Sequence, residues 1–359
     1  MAKRYLIVNI GSTSKRYSLY LGEDEILRVK FEIGEKNFRD SVKIIKEKAG
    51  KIDGIGVRVV APGEYFQKNR ILNKEYMNKL RDAENISPLH VELILEELRD
   101  IEKNFRGTKI ACISDSAFQA SMEEKVKIYG INCKDAKELE ICRYGYHGIS
   151  IKSVLKKVNW KNRKIIVCHL GGGSSITAVS NGKSIDTSMG FTPLEGLPGS
   201  TRSGDIDFSA VKRIAKNKKM NFEQVENYLN FKSGFMGLAG EWDFREIIKK
   251  AEEGDEKARL TIDHFAYRIK KYIGSYYAVM NGLDVLIFTG AIGFGSVLAR
   301  RKICENLENL GIEIDEKKNR EMAEKEGFIE GPKSDVKIAV LESDETKQIL
   351  EELKNSIKI

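Results

Sequence analysis

The sequence predicts an α/β protein with two domains and an internal duplication. Short apolar runs, each long enough for one buried strand, alternate with stretches whose apolar residues recur at helical spacing. At two places a strand ends in a glycine and serine turn and a second strand follows, around Gly11–Ser14 and around Gly171–Ser175. The length of 359 residues exceeds the roughly 250–300 residues at which one core stops growing, so we expect two domains.

Composition and charge favour a globular cytoplasmic protein. Hydrophobic residues form 41% of the chain and charged residues 32%, which suits a sizeable core under a solvated surface. No apolar run approaches the ~20 residues that cross a bilayer, and Met1–Gly11 turns polar too soon for a signal peptide. The net charge of +8 is spread over mixed Lys and Glu runs, and the five cysteines show no CxxC spacing. We therefore expect reduced thiols and neither a membrane nor a nucleic-acid partner.

The first half of the chain opens with a predicted hairpin, because Tyr5–Ile10 and Arg16–Leu21 have strand character on either side of a polar turn. A helix is expected to begin at Ser87-Pro88, where a capping hydroxyl precedes a proline at the first helical position. The other elements predicted here are strands at Ile26–Ile33, Ile52–Val60 and Lys109–Ile113 and a helix at Asp40–Lys48.

The segment Lys164–Asp207 organises the second half. Its first strand, Ile165–Leu170, stops at three glycines and two serines before Ile176–Val179 resumes the strand pattern. A glycine tip can bring backbone N–H groups close to a phosphate because no Cβ intervenes, although an ordinary tight turn is the alternative. Polar side chains then crowd a Gly/Pro-rich stretch up to Asp207, which is typical of a functional loop.

The longest predicted helix follows at Ala258–Met280. Its apolar stripe indicates a core or dimer contact, and His264 on that apolar face is assigned to the core. Asn281-Gly282 is a typical left-handed helix stop. Val285–Phe288 and Val336–Leu341 are predicted buried strands, the second leading into a C-terminal helix.

Three runs of this sequence resemble the signature of the acetate kinase family. They are DTSMGFTPLEGL at residues 186–197, TRSGDID at 201–207 and RYGYHG at 143–148. The resemblance implies duplicated actin-like (ribonuclease H-like) domains with a cleft between them. The implied N-terminal domain spans residues 1–117 and is joined by the C-terminal helix 346–359. The implied nucleotide-binding domain spans residues 118–345.

The activity that this resemblance implies is direct transfer of the γ-phosphoryl group of ATP to a short carboxylic acid. Acetate is the implied acid, and acetyl phosphate and ADP are the products of a reversible reaction. Mg²⁺ (or Mn²⁺) is the implied cofactor, and a homodimer through the C-terminal domain is the implied assembly. The sequence has no GxxxxGK[ST], no HExxH and no Ser/His/Asp spacing, which argues against other chemistries. The groups that remain are two glycine hairpins, carboxylates at strand ends, two arginines and one histidine, and these are the parts that phosphoryl transfer needs.

The resemblance also assigns residues to four roles. The implied catalytic residues are Arg58, Asp115, His147 and Arg202. The implied pocket for the alkyl end of the acid is walled by Val60, Leu89, Tyr146 and Pro193. The implied metal site involves Asn9, Asp115 and Glu345. The implied nucleotide-binding residues are Ser12, Ser14, Arg16, His169, Gly171, Gly172, Gly173, Asp243, Arg245, Gly290, Ala291, Ile292 and Gly293.

Several of these residues also suit a purely structural role. Arg58 could occupy a surface strand position, Asp115 could cap a helix, and His169 could pack in the core. Asp243 with Arg245 could be a helix start with an ion pair. Glu345 could be the acidic residue that the first turn of a helix favours.

The sequence departs from the family pattern at a few positions. Val57 and Ala61 stand where the family has histidines beside the active-site arginine, and Ile151 replaces a second histidine after RYGYHG. Phe294-Gly295 replaces a Glu-Asn pair. Two other functions therefore stay open: a non-catalytic nucleotide-binding regulator or actin-like assembly protein, and a propionate or butyrate kinase.

Overall fold

The structure is a computed structural model that describes residues 2–11, 14–32, 35, 38, 40–86, 88–158 and 161–357, without the side chains of residues 88–90. Contacts within the chain divide it into two compact units. The first unit comprises Met1–Ala120, Gly130–Ser153 and Asp344–Ile359, and the second comprises Ser121–Tyr129 and Val154–Ser343. The division into functional domains at residues 117 and 345 stays a prediction.

The first unit is built on a six-stranded mixed sheet. Its strands are β1 (Arg4–Ile10), β2 (Ser14–Leu21), β3 (Asp24–Glu32), β4 (Gly54–Val59), β5 (Arg70–Ile71) and β6 (Ile110–Ser114). Their order is β3-β2-β1-β4-β6-β5, in which β1, β4 and β6 run parallel while β2, β3 and β5 are antiparallel to their neighbours. The carboxyl ends of β1, β4 and β6 therefore meet at one edge of the sheet.

The second unit has a six-stranded sheet of its own. Its strands are β7 (Lys164–His169), β8 (Ser175–Ser180), β9 (Lys183–Thr187), β10 (Val285–Thr289), β11 (Gly327–Phe328) and β12 (Lys337–Val340). Their order is β11-β12-β10-β7-β8-β9, with β7, β10 and β12 parallel. Read from β9, this sheet repeats the order and strand directions of the first, so the predicted internal duplication is confirmed.

Helices connect these strands and pack against the sheets. In chain order they are α1 (Ser41–Ala49), α2 (Lys74–Glu84), α3 (Pro88–Asn104), α4 (Glu124–Lys127), α5 (Cys133–Glu138), α6 (Gly148–Lys157), α7 (Phe208–Lys218), α8 (Phe222–Phe231), α9 (Gly234–Ala239), α10 (Phe244–Glu252), α11 (Glu256–Met280), α12 (Gly290–Gly295), α13 (Val297–Cys304), α14 (Glu316–Glu321) and α15 (Glu345–Ile357).

The C-terminal helix α15 packs on β1, β4 and β6 of the first sheet. Gly56 on β4 makes this approach possible, because a Cβ there would lie 2.9 Å from Cγ2 of Ile349 and 3.3 Å from Cβ of Leu353. Ile349 and Leu353 are fully buried in one apolar cluster with Ile7 and Ile113. The same packing places Glu345, the first residue of α15, near the carboxyl edge of the sheet.

Most of the elements expected from sequence are confirmed. Both hairpins are present, and the long helix is α11, which ends at Asn281 in the left-handed conformation with φ 54°. The apolar stripe of α11 lies in the core of the second unit. The assignment of His264 to the core was wrong: it lies on the exposed side of α11, because the buried stripe runs through its neighbours Ile262 and Phe265.

Within the described ranges, no helix combines the length and the apolar character that a membrane span requires.

Docking of α15 should contribute strongly to stability. We expect Leu353→Ala to lower the free energy of unfolding by about 2–5 kcal/mol, because it removes a fully buried side chain and leaves a cavity. Urea unfolding measures the change, and Asn355→Ala on the exposed side of the same helix is the control, expected within about 0.5 kcal/mol of wild type. A loss below about 1 kcal/mol for Leu353→Ala would contradict this account of the packing.

Candidate active site

A cluster of polar side chains lies at the carboxyl edge of the first sheet. Asn9 is near the end of β1, Arg58 is near the end of β4, and Asp115 directly follows β6. Glu345 joins them as the first residue of α15. Because three parallel strands end here, four residues that are far apart in sequence are brought together, at the place where ligands bind in open α/β sheets.

The centre of this cluster is a buried ion pair between Arg58 and Asp115. Nη2 of Arg58 donates to Oδ2 of Asp115 at 2.8 Å, and the two side chains are 12% and 0% exposed. Nη1 donates to Oδ1 of Asn9 at 3.3 Å and lies 3.9 Å from Oε2 of Glu345. Burial alone would lower the pKa of Arg58, but the Asp115 and Glu345 carboxylates outweigh it and raise that pKa, so the guanidinium is charged.

The geometry places both Arg58 and Glu345 within this cluster, and their catalytic and metal roles stay predictions. Arg58 does not occupy a surface position, since it is almost fully enclosed by the cluster. Glu345 is more than an acidic residue in the first turn of a helix, because its Oε2 accepts a 2.7 Å hydrogen bond from Nδ2 of Asn9. Both side chains belong to one hydrogen-bonded group.

His147 is held against the same carboxylate by its backbone. Its N–H donates to Oδ2 of Asp115 at 2.8 Å, and the N–H of Gly148 donates to the Asp115 carbonyl at 2.8 Å. His147 has a left-handed φ of 59°, a strained conformation that is often kept at functional sites. A Cβ at Gly148 would lie 2.6 Å from the Asp115 carbonyl oxygen, so glycine is required for this approach.

The residues at this edge fit a divalent cation. Oδ1 of Asp115 is buried and, within the part of the chain that the structure describes, has no hydrogen-bond partner. An unpartnered buried carboxylate oxygen is costly unless a ligand completes it. The described residues contain no group of three or more His, Cys, Asp or Glu side chains that could hold a metal alone. A site completed by phosphate oxygens and water, which Mg²⁺ commonly uses, is consistent with both observations.

The first glycine and serine turn connects β1 to β2 at this edge. The N–H of Gly11 donates to the carbonyl of Ser14 at 2.9 Å, which closes the turn. Ser12, a predicted phosphate contact, lies outside the described residues. Arg16 is exposed on β2, while Lys15 before it is buried and forms a 2.7 Å ion pair with Glu97. Ser14 and Arg16 keep their nucleotide role as a prediction.

The second turn, in the other unit, is built almost wholly from backbone. Ser174 Oγ accepts from the Gly171 N–H at 3.2 Å, and the Ser200 N–H donates to the Gly172 carbonyl at 2.9 Å. A Cβ at Gly199 would lie 2.5 Å from that carbonyl oxygen. The loop that contains Ser200 and the predicted catalytic Arg202 is therefore packed tightly against the triple glycine.

The segment Gly290–Gly293 lies against the same turn. The N–H groups of Ile292 and Gly293 donate to the carbonyl of Leu170 at 2.8 and 3.2 Å. Gly290 has φ 75°, and a Cβ there would lie 2.6 Å from that carbonyl oxygen. Two sequence motifs assigned to the nucleotide are thus held together. His169, paired with Thr289, ends β7 beside them.

Asp243 and Arg245 form a helix start with an ion pair, which is the structural alternative that the sequence left open. Oδ1 of Asp243 caps α10 by accepting from the Arg245 N–H at 2.9 Å, and Oδ2 pairs with Nη2 of Arg245 at 2.6 Å. The Arg245 side chain is 87% exposed. Their nucleotide role stays a prediction, and so does the role of Ala291 in the segment between Gly290 and Ile292.

The residues predicted to wall the acid pocket belong to different units. Val60 and Tyr146 are buried in the first unit, at 7% and 1% exposure, and Pro193 is buried in the second. The side chain of Leu89 lies outside what the structure describes. The roles of these residues stay predictions.

Arg300 is a structural anchor of this region that the sequence analysis missed. It is fully buried and makes five hydrogen bonds, to the carbonyls of Gly293, Phe294, Asn319 and Met322 and to Oδ1 of Asn319. Burial lowers the pKa of Arg300 to about 10, so the guanidinium is still charged at neutral pH. It fixes the end of α12, which carries the glycine segment. The sequence did not distinguish buried Arg300 from its exposed neighbour Arg301.

Comparison with known proteins identifies relatives along nearly the whole chain. Residues 30–351 match the model of the Acetokinase family. The chain is 38% identical to the acetate kinase of Fervidobacterium nodosum, covering 99% of this chain and 98% of that protein. It is 42% identical to that of Carboxydothermus hydrogenoformans, covering 84% and 77%.

Solved structures give the same result for the fold. A propionate kinase from Francisella tularensis subsp. tularensis SCHU S4 superposes with a TM-score of 0.90 at 32% identity, covering 99% of this chain and all of that one. The acetate kinase of Porphyromonas gingivalis superposes with a TM-score of 0.87 at 31% identity and the same coverage. These likenesses confirm the predicted α/β fold with duplicated actin-like units.

Removal of the Arg300 guanidinium should destabilise the second unit. We expect Arg300→Met to cost at least about 3 kcal/mol, because four buried or partly buried carbonyls lose a charged donor. Thermal or urea unfolding measures the loss. Arg301→Met at the exposed neighbouring position is the matched control and should stay within about 0.5 kcal/mol of wild type. Equal stability of the two variants would show that Arg300 does not anchor this region.

Proposed function

Because this chain belongs to the acetokinase family, we propose that it is an ATP-dependent kinase of short carboxylic acids, with acetate as its first substrate. The reaction transfers the γ-phosphoryl group of ATP to a carboxylate oxygen, giving acetyl phosphate and ADP, and it is reversible. The observation that supports this most directly is the buried cluster of Asn9, Arg58, Asp115 and Glu345 at a carboxyl sheet edge.

The proposed reaction needs little proton transfer by protein side chains. A carboxylic acid is already ionised at neutral pH, so the acid supplies its own nucleophile and needs no strong general base. The carboxylate oxygen attacks the γ-phosphorus in line while the bond to the leaving ADP oxygen breaks. Catalysis then consists of positioning and of stabilising charge on the equatorial phosphoryl oxygens.

Arg58 and Arg202 are proposed to stabilise the transferring phosphoryl group. The Asp115 and Asn9 contacts orient the Arg58 guanidinium, so little rearrangement is needed when charge develops. His147 is proposed to contribute a further contact to the phosphoryl oxygens, since its backbone is fixed on Asp115.

Asn9, Asp115 and Glu345 are proposed to hold Mg²⁺ (or Mn²⁺) together with phosphate oxygens. Oδ1 of Asp115, which has no hydrogen-bond partner among the described residues, is proposed to contact the ion. Glu345 already accepts from Asn9 and would act more weakly or through water. A bound divalent cation neutralises phosphate charge and orients the leaving group. The chain's own contribution is to hold the Asp115 carboxylate in place beside Arg58.

The nucleotide is proposed to use the second unit. The triple glycine has no side chains, and the Gly290–Gly293 segment is fastened beside it through the Leu170 carbonyl, which suits close approach of phosphates and ribose. Phe294 and Gly295 offer no polar side chain at the end of this segment. Base recognition there would rest on backbone groups and on apolar contact with Phe294, which packs against the core.

A propionate kinase is the second candidate. The observation that favours it is the likeness to the Francisella propionate kinase structure. In addition, a pocket walled by apolar residues discriminates only weakly between acids that differ by one methylene. We also propose that the protein acts in the cytoplasm as a homodimer through its C-terminal domain.

Hydroxamate trapping of the acyl phosphate tests the proposed function. The purified protein with ATP, Mg²⁺ and acetate should form acetyl hydroxamate when hydroxylamine is present, and omission of ATP or of acetate should abolish it. Nucleotide binding without any acyl phosphate from acetate, propionate or butyrate would favour the non-catalytic regulator instead.

The two arginines are expected to act on kcat. Arg58→Ala and Arg202→Ala should each lower kcat on the order of 10³-fold or more, roughly 4 kcal/mol, as loss of an arginine finger does. Lysine should rescue poorly, because the planar fork matches phosphate oxygens. Arg81→Ala and Arg213→Ala, at exposed helix positions, are the controls. A folded Arg202→Ala protein that keeps over half the wild-type rate would refute its assignment.

The preference among acids of different chain length is expected to depend on Tyr146. Wild type should prefer acetate, use propionate within about two orders of magnitude and use butyrate poorly, since one methylene is worth about 1–3 kcal/mol. Tyr146→Ala should raise kcat/KM for propionate and butyrate relative to acetate. Tyr144→Ala, equally buried two positions away, should lower stability without moving that ratio. A wild type that prefers butyrate, or an unchanged ratio in Tyr146→Ala, would contradict this pocket.

A further inference from the structure

The loop Gly190–Gly196 in the second unit is irregular, yet it is fastened at both ends. It contains Pro193, which the proposed function places in the wall of the acid pocket. At its far end, Oδ1 of Asp205 accepts from the Gly196 N–H at 2.8 Å, and the Asp205 N–H donates back to the Gly196 carbonyl at 3.0 Å. The other oxygen of Asp205 pairs with Arg268 and accepts from the Tyr272 hydroxyl at 2.7 Å. This end of the loop is therefore anchored to α11.

The near end of the loop is fastened by the hydroxyl of Tyr129. That hydroxyl accepts the Phe191 N–H at 2.8 Å and donates to Oε2 of Glu195. The Tyr129 hydroxyl oxygen thereby links Phe191, at the beginning of the loop, to Glu195 near its end. Pro193 lies between these two points, so its position depends on the hydroxyl.

Glu195 folds back across the loop to reach Tyr129. A Cβ at Gly190 would lie 1.6 Å from Oε2 of Glu195 and 2.3 Å from the Tyr129 hydroxyl oxygen. No side chain fits at Gly190 while this arrangement exists. The loop sequence and the tyrosine are therefore fitted to each other, although they are about 60 residues apart in the chain.

Tyr129 is itself held in the second unit. It ends the short segment Ser121–Tyr129, which belongs to that unit although the chain on either side belongs to the first. Oγ of Ser121 donates to the Ser184 carbonyl at 3.1 Å, and Met122 is 4% exposed. The segment thus delivers the tyrosine hydroxyl to the loop from a fixed attachment.

We propose that Tyr129 is a positioning residue that sets selectivity for the acid substrate by fixing the Gly190–Gly196 loop. This inference rests on the proposed function, because it takes Pro193 to contact the alkyl end of the acid. Loss of the hydroxyl removes its contacts to Phe191 and Glu195 at the near end of the loop, while Asp205 keeps the far end in place. The acid pocket loosens. The triple glycine and the Gly290–Gly293 segment do not change, because they are held by contacts to Ser200 and Leu170.

The test compares four variants by steady-state kinetics with acetate, propionate and ATP. Tyr129→Phe should raise the acetate KM about 10-fold and lower the preference for acetate over propionate, with the ATP KM within about two-fold of wild type. Glu195→Ala should change the acetate KM and the acid preference in the same way as Tyr129→Phe. Glu195→Gln keeps an oxygen acceptor for the hydroxyl and should stay near wild type. Tyr267→Phe, at a residue 60% exposed on α11, is the matched control.

Hydrogen exchange adds a readout that does not depend on activity. The Phe191 amide donates to the Tyr129 hydroxyl, so the peptide covering the loop should exchange faster in Tyr129→Phe than in Tyr267→Phe. Unchanged exchange, an acetate KM equal to the control, or acetate and ATP KM values that rise together would overturn the proposal while wild type remains active. If wild type forms no acyl phosphate, the proposed function fails and this inference falls with it.

Discussion

The buried ion pair between Arg58 and Asp115 is the interaction on which the candidate site depends. Two charges are taken out of water here, which is costly unless geometry and further hydrogen bonds compensate. Compensation comes from Asn9, from the His147 N–H and from Glu345, each delivered by a different element. Because these elements are β1, the segment before α6 and α15, the pair can form only when the first unit is fully folded.

The duplicated fold gives the two units matching sheet edges that carry different groups. In the first unit, the register that pairs Val8 with Val57 places Asn9 beside Arg58, and the edge carries charge. In the second unit the corresponding register pairs His169 with Thr289, and a triple glycine follows. One edge therefore carries charged side chains and the other carries a glycine turn. Under the proposed function, charged groups and closely approaching backbone are both of use in phosphoryl transfer.

The sequence predicted much of the fold because apolar runs and glycine turns are local signals. Both hairpins, the duplication and α11 follow from such patterns. The Arg58–Asp115 pair could not be derived from them, since it depends on the register between β4 and β6. Arg300 gave no signal because burial of an arginine follows from packing around it. Tyr129 lies in a segment without a motif, and its partner Glu195 is 66 positions away.

The most direct measurement of the central claim is the Mg²⁺ dependence of the rate in Asp115→Asn. This variant keeps the shape of the side chain and an oxygen for Arg58, but removes the charge that is proposed to hold the cation. The account predicts a rate at saturating ATP and acetate that is abolished or that requires far more Mg²⁺ than wild type. A folded variant with an unchanged Mg²⁺ activation curve would contradict it and would place the metal elsewhere.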